Sequence, residues 1–296
     1  MKVAVTGASG LIGSALVPHL RSRGHEVVRL VRSPARGADQ VQWSPGSRLD
    51  PQALDGVDGA VHLAGAGVGD RRWTPEYKRT ILDSRLGGTR TLVEALSALS
   101  PAPKVLVSGS AIGIYGNQGE QELPETAAAG NDFLAGVVLA WEGEAERAEE
   151  AGIRVTTART GLVMSRHGGA FGRLMALTRL GLAGPLGNGR QWWSWITLDD
   201  EVAALTFMLE NDKISGPVNL TSPDPRRQVE VARAIAGGLH RPALLPAPEF
   251  ALRLVLGGFA SEILASQRVI PQHLLDAGFR FEHAELGQAV DWLTGR

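Results

Sequence analysis

A glycine-rich turn near the start of the chain has the spacing of a phosphate-binding loop. Residues 6–13 read T-G-x-x-G-x-x-G and lie between a β-branched run, residues 3–5, and a stretch with apolar residues at helical spacing. Glycines permit a tight turn and close approach of the backbone to a pyrophosphate, and the N-terminus of the next helix favours negative charge. Glycine is 37 of 296 residues, so this context, rather than the triplet alone, favours a dinucleotide site over an ordinary strand-to-helix turn. No Gly-Lys-Ser/Thr follows, which disfavours a nucleoside triphosphate.

The end of the second predicted strand, residues 27–31, bears on the choice of dinucleotide. A carboxylate at this point binds the adenosine ribose of NAD, whereas an arginine accommodates the extra phosphate of NADP. Here Arg32 and Ser33 follow the strand, Arg36 is close by, and the first acidic residue is Asp39. A guanidinium fork pairs well with phosphate, so the sequence predicts NADP; the alternative is that Arg32 is a solvated loop charge.

The composition restricts the partners of the protein. The chain has 30 Lys plus Arg and 31 Asp plus Glu, a formal charge of −1, which argues against a nucleic-acid or membrane-surface binder driven by bulk charge. It has no cysteine, and no histidine or carboxylate cluster has metal-ligand spacing, so no metal site is predicted. No segment reaches the roughly 18 apolar residues that span a bilayer. The apolar N-terminus resembles a signal peptide only superficially, because Gly7, Gly10 and Gly13 interrupt it and no clean cleavage site follows. We interpret it as a first strand and so expect a cytoplasmic protein that acts on a small molecule, with a homodimer as a candidate assembly.

Strands and helices alternate through the first half of the chain. Apolar runs predict strands at residues 3–5, 27–31, 60–64, 104–107, 154–158 and 218–220. Helical spacing predicts helices from residue 12 to Gly24 and over residues 74–99, 132–151, 171–180 and 199–210. This order predicts an α/β fold, a doubly wound parallel sheet (Rossmann) with a smaller C-terminal substrate lobe.

The pattern loosens after about residue 165, where glycine and proline become frequent. We divide the chain into residues 1–240, a nucleotide-binding domain with substrate-lobe insertions at about 166–195, and residues 241–296, a small helical C-terminal region. The proline-rich residues 242–248 would form the hinge between them.

Several short motifs resemble those of the extended short-chain dehydrogenase/reductases. Besides the glycine loop, they are H-L-A-G at residues 62–65, S-G-S at 108–110, Y-G at 115–116, and G-N-G-R-Q at 187–191 leading to W-I-T-L-D-D at 195–200. Other stretches resemble an atypical subgroup, the epimerase family of NADP-dependent oxidoreductases with a C-terminal domain of unknown function. They are R-W-T at 72–74, L-D-S-R at 82–85, D-F-L at 132–134, W-E at 141–142 and the tail from residue 252 to 281.

The resemblance implies roles for individual residues. Ser110 stands where the family places a hydroxyl that orients the substrate, and Tyr115 is the nearby phenol, so both are candidate catalytic residues. Arg85, with Thr80 and Ser84, would face the nicotinamide ribose, unless Arg85 is a surface arginine. The predicted cofactor-binding residues are Gly7, Ser9, Gly10, Leu11, Ile12, Gly13, Arg32, Ser33, Leu63, Ala64, Gly65, Thr80, Arg85, Ser108 and Val163.

The chain departs from this family at its catalytic pair. Extended members carry Tyr-x-x-x-Lys on the helix after the fifth strand, where the tyrosine is the general acid or base. Here the matching register places Val137 and Trp141, neither of which transfers a proton. Either another group supplies the proton, such as Tyr115 or a water held by Ser110, or the protein is a catalytically reduced NADPH-binding sensor or partner-binding protein.

Two further interpretations concern the substrate side. Three tryptophans lie within residues 192–195, either as an apolar ligand wall or as a plug between the sheet and the C-terminal helices. Trp193 lies where nucleotide-sugar enzymes often carry an arginine, which disfavours a UDP-sugar. The five glutamates between residues 142 and 150 are interpreted as a solvated helix face.

Overall fold

The computed structural model describes residues 1–166 and 168–295. The strands of these residues are β1 (Lys2–Thr6), β2 (Glu26–Val31), β3 (Gln40–Gln42), β4 (Gly59–His62), β5 (Val105–Ala111), β6 (Glu122–Leu123), β7 (Arg154–Thr160), β8 (Leu162–Met164), β9 (Trp192–Trp193), β10 (Trp195–Thr197), β11 (Gly216–Leu220), β12 (Arg226–Arg227) and β13 (Arg268–Val269). The α-helices are α1 (Leu11–Ser22), α2 (Pro75–Ser97), α3 (Phe133–Glu146), α4 (Gly169–Arg179), α5 (Leu198–Glu210), α6 (Gln228–Gly238), α7 (Glu249–Leu256), α8 (Ala260–Leu264), α9 (Gln272–Asp276) and α10 (Leu286–Thr294).

Seven parallel strands form the central sheet, in the order β11-β7-β5-β4-β1-β2-β3. On one face, α1 and α5 pack on the sheet through a cluster that includes Leu16, Leu20 and Leu205. On the other face, α2 and α3 do so through a cluster that includes Leu92 and Ala145. Helices therefore cover both faces, which confirms the predicted doubly wound parallel sheet. The carboxyl ends of its strands meet at one edge, where open α/β sheets bind ligands.

Three strands of the central sheet show the main differences from the sequence prediction. The edge strand β3 was not predicted, because its three residues Gln-Val-Gln have no apolar run. β4 ends at His62, so residues 63–64 form a loop, and β5 continues to Ala111, four residues beyond the predicted end. The added part of β5 includes Ser-Gly-Ser at residues 108–110. All three residues are buried, but their sequence lacks the apolar pattern that predicts a strand.

The tryptophans of residues 192–195 belong mainly to a third apolar cluster. Trp193 and Trp195 are 8% and 0% exposed and pack with residues of α4, α6 and α10, including Phe171 and Leu293. This is the plug, so the ligand-wall interpretation is wrong for these two residues. Trp192 lies outside it, with Arg227 4.1 Å and Arg268 4.7 Å from its ring.

The C-terminal segment crosses the carboxyl edge of the sheet. The side chain of Phe259 lies against Gly69 in the loop after β4, and the Gln267 side chain donates a hydrogen bond of 3.2 Å to the carbonyl of Ile112 after β5. The carbonyl of Ile263 accepts from Trp193. Residues 257–269 therefore lie against the loops at the carboxyl edge of the sheet.

Candidate functional site

The glycine loop has the geometry that close phosphate approach requires. Gly7 has φ of +68°, which favours glycine, and a Cβ there would lie 2.7 Å from the backbone of Leu63. A Cβ at Gly13 would lie 2.2 Å from the Gly7 carbonyl oxygen, so helix α1 packs directly on the loop. Gly10 is different: it is exposed, has φ of −77°, and a Cβ would come no closer than 3.3 Å to other atoms. Gly10 is therefore less constrained than Gly7 and Gly13, and it is exposed to solvent.

Helix α1 begins without a competing negative charge. Its first turn has no acidic residue, and the N-cap Gly10 has no side chain to satisfy the first amides. The N-terminus of a helix carries a partial positive charge and unpaired N–H groups, which suit a pyrophosphate.

A buried hydrogen-bond chain fixes the loop after β4 beside the glycine loop. Thr6 Oγ1 accepts from the amides of Leu63 (3.0 Å) and Ala64 (3.2 Å), so its proton points to His62 Nδ1, 2.7 Å away. His62 Nε2 then donates to Thr89 at 3.0 Å. Burial lowers the pKa of His62 to about 4, with the nearby charge of Arg85 acting in the same direction, so this histidine is a neutral structural group.

Arg32 and Ser33, after β2, are exposed. Among the described residues, Arg32 forms no hydrogen bond or ion pair, although other charged groups of this region are paired. Asp39 accepts two hydrogen bonds from Arg29 (2.9 and 3.0 Å) and one from Arg21 (2.5 Å). These bonds, with that to Arg29 the strongest, lower the pKa of Asp39. The Arg32 side chain is thus available to a ligand.

The Arg85 side chain packs beside Gly65, and its Cζ lies 5.0 Å from the centroid of the Trp141 ring. Its Nη1 donates to the carbonyls of Ala66 (3.0 Å) and Ile81 (3.1 Å), while Nε and Nη2 bind no described residue. Arg85 is half-buried, so it is not the surface arginine of the alternative interpretation, and this burial lowers its pKa to about 10.

The neighbouring hydroxyls of α2 differ from each other. Ser84 Oγ accepts from the amide of Ala66 and thereby holds the same loop as Arg85. Thr80 is exposed, and its hydroxyl donates to the Glu76 carbonyl of its own helix. The structure brings Arg85 and Ser84 to the loop after β4 but leaves Thr80 away from it.

Other predicted cofactor residues line the same edge. Ser9 is exposed in the glycine loop, and Leu11 and Ile12 begin α1. A side chain placed at Gly168 would lie 3.2 Å from Leu11, so the loop after β8 covers the start of this helix. Val163 is in β8, paired with β10 rather than with the central sheet, and packs against the cluster beneath α1.

Ser110 lies in a buried polar row at the carboxyl end of β5. It pairs in register with Arg159 of β7, which pairs with Asn219 of β11, so the three side chains share one face of the sheet. Ser110 Oγ donates to Glu142 Oε1 of α3 at 2.5 Å. Ser108, two residues earlier, has no exposed surface, and its hydroxyl reaches only the Gly109 carbonyl at 3.3 Å.

Tyr115 belongs to the interior of this row. It is 0% exposed; its hydroxyl donates to Asn219 at 2.7 Å and accepts from Arg159 at 3.1 Å. Burial raises the pKa of Tyr115 above its ordinary value, against the opposing effect of Arg159. The prediction that Tyr115 is a catalytic residue does not fit this geometry, because a hydroxyl with two internal partners and no access cannot reach a substrate.

The predicted solvated face is wrong for two of the five glutamates at residues 142–150, three of which lie in α3 and two just after it. Glu142 is 6% exposed and binds Ser110 and Arg159, while Glu144 is 9% exposed and pairs with Arg90 and Arg147. The other three are exposed as expected. The sequence contained one signal for the burial: Arg159 interrupts an apolar strand, and a charge at such a position requires a buried counter-charge.

A second buried carboxyl lies on the other side of the sheet. Glu201 of α5 accepts a hydrogen bond of 2.8 Å from Thr160, and its Oε2 has no partner among the described residues. Burial raises the pKa of Glu201 to about 8, although the Thr160 bond opposes this. Glu201 is therefore largely protonated at neutral pH.

Family models and related proteins match this chain over the sheet and its glycine loop. The model of the NAD dependent epimerase/dehydratase family matches residues 3–220. The chain belongs to this family. The model of a second family, a domain of unknown function (DUF1731), matches residues 247–293 of this chain. The epimerase family protein Mb2239 of Mycobacterium bovis is 42% identical over 296 residues, which cover 99% of this chain and 98% of that one.

Two solved structures of relatives extend the comparison. The human epimerase family protein SDR39U1 (isoform 2), solved with NADPH, is 31% identical with a TM-score of 0.92 over 100% of both chains. A nucleoside-diphosphate sugar epimerase of Corynebacterium glutamicum is 32% identical with a TM-score of 0.84, over 100% of this chain and 58% of that one. The likeness to extended short-chain dehydrogenase/reductases is thereby confirmed.

Two features are absent from residues 1–166 and 168–295 of this epimerase-family chain. No group of histidines and carboxylates there is arranged to hold a metal ion. No helix there is long and apolar enough to cross a membrane.

Proposed function

We propose that this protein is an NADP-dependent oxidoreductase or epimerase that acts on a small, unidentified substrate. The observation that carries the proposal is the pairing of a complete glycine loop with an arginine, Arg32, that has no internal partner at the end of β2. A free guanidinium there suits the additional phosphate of NADP. The NADPH bound to the human relative supports this choice.

The residues of the chain fit such a dinucleotide. Gly7 and Gly13 allow the backbone to close around the loop, and Gly10 leaves the outer surface open for a pyrophosphate. The loop after β4, fixed by Thr6 and Arg85, would face the cofactor at the same edge. When bound, the nicotinamide ring supplies or accepts a hydride.

Ser110 is the polar residue that we assign to the substrate. It ends the buried row on β5 and keeps 6% exposure, whereas Tyr115 keeps none. Because Val137 and Trp141 replace the usual proton-transferring pair, the proton would pass through water or come from an acidic substrate.

A catalytically reduced NADPH-binding protein is the second candidate. It is favoured by the same replacement, because both Val137 and Trp141 are buried apolar groups and Tyr115 is committed to internal hydrogen bonds. Such a protein would bind the cofactor and report its presence to a partner. A cytoplasmic location and a homodimer are further predictions from the sequence.

One experiment separates these candidates. Protein fluorescence is titrated with NADPH, and the saturated protein is then tested against panels of aldehydes, ketones and secondary alcohols with NADPH or NADP⁺. Turnover that is lost in a Gly10→Val variant supports the oxidoreductase. Tight NADPH binding without turnover of any compound class supports the second candidate. Absence of NADPH binding would contradict both.

A further inference from the structure

The ion pair between Glu142 and Arg159 determines whether Ser110 donates or accepts a hydrogen bond. Glu142, which accepts from Ser110 at 2.5 Å, also receives Arg159 Nε on Oε1 and Nη2 on Oε2, both at 2.9 Å. The side chains of Arg159 and Glu142 are only 9% and 7% exposed. This is a two-point guanidinium–carboxylate pair in the protein interior, which is the strong geometry for such a pair.

Glu142 must be ionised in this arrangement. A guanidinium keeps its charge in proteins, and protonation of Glu142 would leave that charge buried without a counter-ion, which is strongly unfavourable. Burial acts to lower the pKa of Arg159, but the hydrogen bonds and charge of Glu142 outweigh it and hold that pKa above its ordinary value. The remaining Arg159 group, Nη1, donates to Tyr115 and to the Glu125 carbonyl.

An ionised carboxylate only accepts hydrogen bonds, so the single proton of Ser110 points to Glu142. The oxygen of Ser110 is left with lone pairs and no proton for a ligand. Ser110 therefore cannot donate to a carbonyl oxygen, which is the role that a serine at this position would otherwise be given. Four of the five N–H groups of Arg159 bind Glu142, Tyr115 and the Glu125 carbonyl, so only the second N–H of Nη2 is left as a donor beside Ser110.

We infer that Ser110 is a specificity-determining residue that accepts a hydrogen bond from a hydroxyl or amino group of the substrate. The site then binds the alcohol form of a substrate in preference to the carbonyl form. It also disfavours a carboxylate or phosphate next to Ser110, because such groups bring lone pairs and negative charge towards Glu142. This inference rests on the proposed function, which places a substrate at Ser110. The ionised state of Glu142 does not depend on the proposed function.

The charge state of Glu142 is tested first, without cofactor or substrate. In protein labelled with ¹³C at glutamate Cδ, the Glu142 signal is assigned from its loss in Glu142→Gln. At pH 7 we expect it to have the chemical shift of a carboxylate, while the Glu201 signal, assigned from Glu201→Gln, has that of a carboxylic acid. A protonated Glu142 at neutral pH would overturn the inference, whatever the protein is found to bind.

The ligand preference is tested with cyclohexanol and cyclohexanone, two probes of similar shape, on protein saturated with NADP⁺. Affinities are measured by saturation-transfer NMR. For wild type we expect cyclohexanol to bind about three- to tenfold more tightly, the ratio that one hydrogen bond supplies. Ser110→Ala should bring the ratio to about one, because it removes the acceptor and leaves the Glu142–Arg159 pair intact.

Glu142→Gln supplies the sharper arm of the test. A glutamine amide can donate to Ser110 and so release the serine proton for a carbonyl, which should shift the preference towards cyclohexanone. Glu144→Gln, a buried glutamate on the same helix that pairs with Arg90 and Arg147, is the matched control and should keep the wild-type ratio.

Folding of each variant is checked by circular dichroism, and Ser110→Ala decides the result if Glu142→Gln does not fold. A preference for cyclohexanone in wild type, an unchanged ratio in Ser110→Ala, or no binding of either probe at millimolar concentration would overturn the inference. Absence of NADP⁺ binding would contradict the proposed function instead. The ¹³C chemical shift of Glu142 would still show whether that side chain is ionised.

Discussion

Arg29 binds Asp39 through two hydrogen bonds of 2.9 and 3.0 Å, and this pair decides the electrostatics at the end of β2. Asp39 is the first acidic residue after the strand, and Arg21 reinforces its neutralisation. Arg32 is exposed after β2, and the nearest acid in sequence is already paired with two other arginines. The proposed preference for NADP rests on the two arginines that neutralise Asp39 as much as on Arg32, which would bind the phosphate.

Arg32→Ala should weaken NADPH binding far more than NADH binding. The variant removes a charged hydrogen-bond partner of the additional phosphate, which is worth roughly 1.5–3 kcal/mol. Kd values from fluorescence titration with both nucleotides check this, with Arg23→Ala, an arginine paired with Glu210, as a control that should change neither. An equal loss for both nucleotides would reject the assignment of Arg32.

The glycine loop provides a matched pair of variants. Gly10→Val should fold normally and lose cofactor binding, because Gly10 is exposed with an ordinary φ and its new side chain would fill the surface meant for the pyrophosphate. Gly13→Val should fold poorly, because its Cβ would lie 2.2 Å from the Gly7 carbonyl oxygen. Thermal melting and calorimetric titration with NADPH distinguish the two. If Gly10→Val kept the wild-type Kd, the loop would not be the cofactor site.

These loop features were predictable because they are local. The triplet of glycines, the strand before it and the helix after it lie within about twenty residues of each other, and the alternation of strands and helices is likewise read from short windows. The edge strand β3 escaped prediction because Gln40 and Gln42 carry no apolar signal at an edge that faces solvent.

The catalytic side was harder to predict because its contacts are distant in sequence. Glu142 resembles its exposed neighbours on α3, and only the fold brings it to Arg159, 17 residues away, and Ser110, 32 residues away. Tyr115 meets Asn219 across 104 residues. No local pattern distinguishes a phenol that faces a substrate from one that joins the interior of the sheet.

Tyr115→Phe should reduce stability and leave cofactor binding unchanged. The lost hydroxyl deprives buried Asn219 and Arg159 of a partner, which typically costs about 1–3 kcal/mol of unfolding free energy. Chemical denaturation gives that free energy, and the pH profile of any turnover should match wild type. The control is Tyr77→Phe, which affects the other tyrosine of the chain, bonded to the Gly67 carbonyl. Turnover lost at full stability would instead make Tyr115 the proton source.

Glu201 should make the folded state less stable as the pH rises. Its pKa is about 8 in the fold, against 4.5 for an ordinary glutamate, so the unfolded chain binds fewer protons between these values. The stabilising protonation is fully present below pH 4.5, and stability is lost progressively up to about pH 8, by a few kcal/mol at about 1.4 kcal/mol per pKa unit.

Glu201→Gln removes this titration and should flatten the decline in unfolding free energy between pH 5 and pH 8. Urea denaturation at several pH values measures the slope, and Glu94→Gln, on an exposed residue of α2, should retain the wild-type slope. An identical slope in wild type and Glu201→Gln would show that Glu201 is ionised throughout.

Isothermal titration of the wild-type protein with NADPH and with NADH measures the proposed preference for NADP itself. We expect one site per chain and an affinity for NADPH at least about tenfold greater than for NADH, since 1.4 kcal/mol from the Arg32 contact corresponds to that ratio. Equal affinities, or no heat from either nucleotide, would contradict it.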